Sequence, residues 1–139
     1  MSSAEGNDAN GKETRHIEGI RRQADEALRR LASSAEVQIG WLREIGVGIA
    51  DELALEFDYW STVVLSLPEI YRPSQDTVDG LRHLNQLLDD ISGPTGLWSF
   101  EALSSSHEWM TIRSEAIRVL VLWEADLLHL PRDQSPSSE

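Results

Sequence analysis

The chain has no cysteine in its 139 residues. That excludes disulfides, zinc–thiolate sites, iron–sulfur clusters and cysteine nucleophiles together. A domain of this size does not need staples, since near 150 residues folding buries about two thirds of the unfolded surface. Long apolar runs are also missing. The longest, Val119 to Trp123, has five residues, whereas a membrane-spanning helix needs about twenty. The first residues, MSSAEGNDANGKE, lack the basic and apolar regions of a signal peptide. These absences predict a soluble, cytoplasmic chain with no membrane partner.

Lysine is nearly absent: Lys12 stands alone beside eleven arginines, and 24 acidic residues leave a net charge of −12. A chain this negative is repelled by phosphate backbones, which argues against nucleic-acid binding. It attracts basic proteins, and its charge also keeps it in solution. There is no G-x-S-x-G, no glycine-rich phosphate loop, and no arginine five to seven residues before a histidine. Ser104, Ser105, Ser106 and His107 are adjacent, but serines in that setting serve as linker and helix cap.

What is present is helical periodicity. Residues 1–13 and 131–139 hold no apolar pattern and are expected to be disordered tails. Residues 14–130 are expected to form one domain. A first helix is predicted from about Thr14 to Ala32, with Ile17, Ile20, Ala24, Ala27, Leu28 and Leu31 on one stripe. Ser33 and Glu36 have capping-box spacing and open the next segment after a short turn.

That second segment, about Ser34 to Leu67, carries Leu42, Ile45, Ile49, Leu53, Phe57, Trp60, Val64 and Leu67 at steps of three and four. Gly46 and Gly48 interrupt it. They predict either a kink or break, or a close crossing by a neighbouring helix. Pro68 and Pro73 bracket a connector. A third helix follows from about Ser74 to Ile91, ended by the breakers of Ser92 to Gly96. A short helical turn at Leu97 to Leu103 lays Trp98 on the core. Ser105 and Glu108 then cap a last helix of about Ser106 to Leu130, whose Val119, Val121 and Leu122 widen its apolar stripe beyond one face. The expected fold is all-α: an antiparallel four-helix bundle with a short extra helix before the last.

Two constellations suggest chemistry. Asp79 with His83, and Asp126 with His129, share helix faces. They lack the equivalent Glu-x-x-His pairs of a di-metal carboxylate bundle. The acidic stretch Glu44, Asp51, Glu52, Glu56 and Asp58 is the second. Glu52 and Glu56, with Asp89 and Asp90 on the third helix, suit Mg²⁺, which prefers hard oxygen ligands. All-α nucleotide pyrophosphohydrolases use paired acidic motifs on two helices. Here the first acidic pair is one residue too wide and no E-x-x-D follows. The alternative to such a site is a solvated acidic face opposite the Leu53–Phe57–Trp60 stripe.

Five tryptophans remain to be placed. Trp60, Trp109 and Trp123 fall on core stripes. Trp41 adjoins the stripe and would anchor an interface if exposed. The functional expectation is a non-enzymatic protein-binding module with no cofactor. It would be an inhibitor, immunity or antitoxin-like protein facing a basic partner, or a self-associating dimer. Trp41, Val119, Val121 and Leu122 are its expected contact residues. The alternative expectation is an Mg²⁺-dependent hydrolase using Glu52, Glu56, Asp89 and Asp90.

Overall fold

A computed structural model describes residues 2–128, with side chains from residue 11 onward. The described residues are all-helical, with seven helices and no strand. Helix α1, Ser2–Ala32, begins well before Thr14, inside the stretch expected to be a tail. No proline lies between residues 2 and 14 to block it outright, and the glycines and asparagines there only lower helix preference. The expected tail at 131–139 lies outside the described residues.

The single long segment expected between residues 34 and 67 is two helices, α2 (Ala35–Glu44) and α3 (Asp51–Ser66). Gly46 ends α2 with φ +83°, a conformation glycine adopts without Cβ strain. Its N–H donates to the Arg43 carbonyl at 3.1 Å, and the Val47 N–H donates to Leu42 at 3.0 Å. Those two bonds make a Schellman cap. The glycine pair therefore breaks the helix, and nothing stands close to Gly46 or Gly48. The close crossing is elsewhere, at buried Gly80, where an added Cβ would lie 2.8 Å from Val119 Cγ2.

Pro68 starts the single turn of α4 (Pro68–Tyr71) at a position where its missing N–H costs nothing. Helix α5, Gln75–Asp90, is capped by Ser74, whose hydroxyl accepts from the Thr77 N–H. The short helix expected over 97–103 is α6, Phe100–Ser105, capped by Ser99. Helix α7, His107–Leu128, closes the described chain.

The two expected capping boxes are each displaced by one residue. Ser33 donates its hydroxyl to the Arg29 carbonyl at 2.7 Å and stays with α1. Ser34, with extended backbone, accepts from Val37 instead. Ser105 likewise donates back to Glu101 at 2.8 Å, while Ser106 accepts from the Trp109 N–H at 3.1 Å. In both serine pairs the first residue satisfies a carbonyl of the ending helix and the second caps the next.

Helix α1 packs on α3 and α7, and α5 packs on the same two helices, so the four long helices enclose one core. Leu28, Leu31, Leu53, Phe57, Leu84, Trp109, Ile112 and Val119 are among its large, fully buried members. Helix α6 closes against α2 and α7. One buried polar residue fixes this end. Gln38 donates to the Arg30 and Leu31 carbonyls, at 2.9 and 3.0 Å, and accepts from Arg113 at 2.9 Å. The Trp109 indole donates to the Leu97 carbonyl, and Trp98 meets the Trp109 ring edge-on at 5.7 Å. Trp98 thus reaches the core as expected, only partly buried.

Candidate functional site

The four carboxylates suited to Mg²⁺ are not brought together. Glu56 turns toward α1 and pairs with Arg30 at 2.5 Å, beneath which lies the Trp41 ring. Asp90 accepts from Gln86 on its own helix. Asp89 lines a different surface, shared with Asp51 and Asp58, while Glu52 is absent from it. Among the described residues no group of three or more His, Asp or Glu side chains is placed to hold a metal ion.

The histidine pairs are also dispersed. Asp79 accepts from Gln75, and His83 meets Glu115 of α7 at 3.0 Å. Glu115 is also bound by Arg118, whose hydrogen bonds hold its carboxyl below the ordinary value of 4.5, with His83 adding to the effect and burial opposing it. Asp126 accepts from the Ser74 N–H at 2.9 Å, fixing the start of α5 against α7. His129 lies outside the described residues.

The four expected interface residues separate. Trp41 is half-buried rather than fully exposed, with the Arg30 guanidinium 4.2 Å over its ring. Val119 is fully buried against Gly80 and belongs to the core. Leu122 is half-buried. Val121 is 62% exposed, in line with Met110, Ile117 and Leu128 on the outer side of α7.

The most distinctive surface is a groove of about 430 Å³ between α3 and α5, closed at one end by the segment before α6. Its lining is mostly apolar: Ile49, Ala54 and Leu55 on one wall, Leu88 on the other, Trp98 at the end. The break after α2 leaves Ile49 half exposed, and Leu55 is 56% exposed. A hydrogen bond of 2.7 Å from the Ala50 N–H to the Trp98 carbonyl ties the start of α3 to the closed end of the groove.

Among the described residues three aspartates belong to this lining, Asp51 and Asp58 from α3 and Asp89 from α5, and no arginine or lysine does. Their carboxylates have no hydrogen-bond or ion-pair partner among the described residues. Asp51, Glu52 and Asp58 were visible in the sequence as an acidic stretch. What the core stripe concealed is a second series, Asp51, Leu55 and Asp58, at steps of four and three. It lies on a face rotated from the Leu53–Phe57 stripe and carries an apolar residue between two acids.

Compared with known proteins, the chain matches no family model, no curated protein and no solved structure.

Proposed function

We propose that this chain is a non-enzymatic protein-binding module, of the inhibitor, immunity or antitoxin type, acting on a basic partner. In this proposal α1, α3, α5 and α7 form an antiparallel four-helix bundle that serves as a rigid frame. The binding surface is the groove between α3 and α5. The observation that carries the proposal is the composition of that groove among the described residues: exposed apolar side chains with three unpaired carboxylates and no cation. Apolar burial supplies affinity, and the carboxylates select and steer a positively charged partner.

The test is to isolate the full chain from its native cells and compare complexes formed by wild type, Leu55→Lys and Glu36→Lys. Leu55 lines the groove; Glu36 is exposed on α2. A stoichiometric complex with a basic protein, kept by Glu36→Lys and lost by Leu55→Lys, supports the proposal. Identical complexes for all three chains, or none, contradict it.

A second reading, self-association, is favoured by the outer side of α7. Met110, Ile117, Val121 and Leu128 are 54, 52, 62 and 76% exposed at steps of seven, four and seven. This spacing suits a two-helix seam. Sedimentation of wild type and Val121→Glu distinguishes it: a dimer dissociated by the substitution supports this reading, and a wild-type monomer contradicts it.

A further inference from the structure

We infer that the groove takes an amphipathic α-helix carrying two cationic side chains seven residues apart. This inference rests on the groove's being the protein-binding surface and specifies what fits it. Asp51 and Asp58 lie seven residues apart on α3, which sets them on one side of the helix about 10.5 Å apart along its axis. Ala54 and Leu55 lie between them, and Leu88 faces them from α5. Asp89 adds a carboxylate to the opposite wall.

A ligand must therefore match two charges at about 10.5 Å while laying apolar side chains between them. A helix does so with cations at i and i+7 and leucine-like residues on the intervening turns. An extended peptide does not. Its same-face residues recur every second position, at about 7 or 13 Å, and residues three apart point to opposite faces. The described residues also offer no sheet edge for an extended strand to join.

The chain itself is a poor occupant. Arg15 and Arg22 of α1 are exposed and seven residues apart, but Glu18 and Gly19 lie between them where apolar anchors are needed. The net charge of −12 further opposes a second copy at an acidic groove.

The test uses three synthetic helical peptides with the same leucine ridge: arginines seven apart, arginines four apart, and glutamines at the seven-apart positions. Each is titrated into the full wild-type chain and into Leu55→Lys, Asp51→Asn and Asp58→Asn. The seven-apart peptide should bind tightest, and each aspartate substitution should weaken it about two- to fivefold, as expected for partly exposed ion pairs. Leu55→Lys should abolish binding. Equal affinity for the two arginine peptides, no effect of Asp51→Asn and Asp58→Asn, or no binding by any peptide would overturn the inference. If the glutamine peptide binds as well and Leu55→Lys still blocks it, the charge register is wrong but the groove remains the protein-binding surface. If wild type is already a dimer that Leu55→Lys dissociates, the occupant is a second copy and the inference fails.

Discussion

In the corner between α1 and α2, the Gln38 amide uses both its donors and its acceptor on protein groups. It satisfies the Leu31 carbonyl at the end of α1, adds a second bond to the Arg30 carbonyl that also accepts from the Ser33 N–H, and holds the Arg113 guanidinium, which also donates to Leu103. Burial lowers the pKa of Arg113, yet an arginine stays charged, so it depends on these acceptors. Gln38→Leu conserves much of the volume and removes all three bonds. It should destabilise the protein by about 2–3 kcal/mol, read as the urea midpoint. A loss below about 1 kcal/mol would show that water replaces the amide.

Gly80 is the converse case, a residue chosen for what it lacks. Alanine would gain about 1 kcal/mol in helix preference. Its Cβ would, however, press on Val119, which is β-branched and fully buried. Overpacking of that kind costs about 1–3 kcal/mol, so Gly80→Ala should lower stability. In a Val119→Ala background the same substitution should become neutral or stabilising, a coupling that a double-mutant cycle measures. Neither Gln38 nor Gly80 was legible as special in the sequence. A polar residue beside an apolar stripe, or one glycine among nine, acquires its role only from a neighbour on another helix.

Glu115 gives the pH dependence its sign. Its pKa is depressed in the folded protein, chiefly by Arg118 and also by His83. Its contribution is therefore present above the unfolded value and is lost as pH falls through the lower folded value. The acid limb of a melting-temperature profile, below about pH 4.5, should be shallower for Glu115→Gln than for wild type. Parallel limbs would show that the pair is fully screened.

At the scale of the element, periodicity located the long helices well and their ends less well. The Ser74 start of α5 was legible because one serine stands before a clean amphipathic run. The starts of α2 and α7 were misplaced by one residue because each follows consecutive serines. Sequence spacing cannot say which hydroxyl turns back to a carbonyl and which one caps. The structure makes the distinction testable. Ser34→Ala and Ser106→Ala should each cost about 1 kcal/mol in unfolding free energy, and Ser33→Ala and Ser105→Ala much less. Equal losses within each pair would contradict the cap assignment. The break after α2 was legible as one of two outcomes, and Gly46 decides it by adopting positive φ. That break exposes Ile45 and Ile49, which an unbroken helix would have kept on the Leu53–Phe57 stripe.

For the whole molecule, charge is unevenly used. Several acids serve the fold: Asp25 and Glu124 hold Arg29, Asp25 also accepts from the Trp123 indole, and Asp126 anchors α5. Arg29 and Glu124 are exposed, and such surface pairs contribute little individually. Among the described residues the carboxylates of Asp51, Asp58 and Asp89 make no such internal bond. Their identity was legible in the sequence, but their grouping was not. Asp89 reaches the others only because α5 packs beside α3, and Glu56, their apparent companion, is drawn away by Arg30. The packing of α7 on α5 buries Val119 against Gly80 and leaves Val121 exposed.

We propose the α3–α5 groove, and not the outer side of α7, as the binding surface. The most direct measurement is the affinity of the seven-apart arginine peptide for Leu55→Lys and for Val121→Glu, side by side with wild type. The account predicts saturable binding to wild type, unchanged for Val121→Glu and lost for Leu55→Lys. Retained binding by Leu55→Lys with loss in Val121→Glu would contradict it.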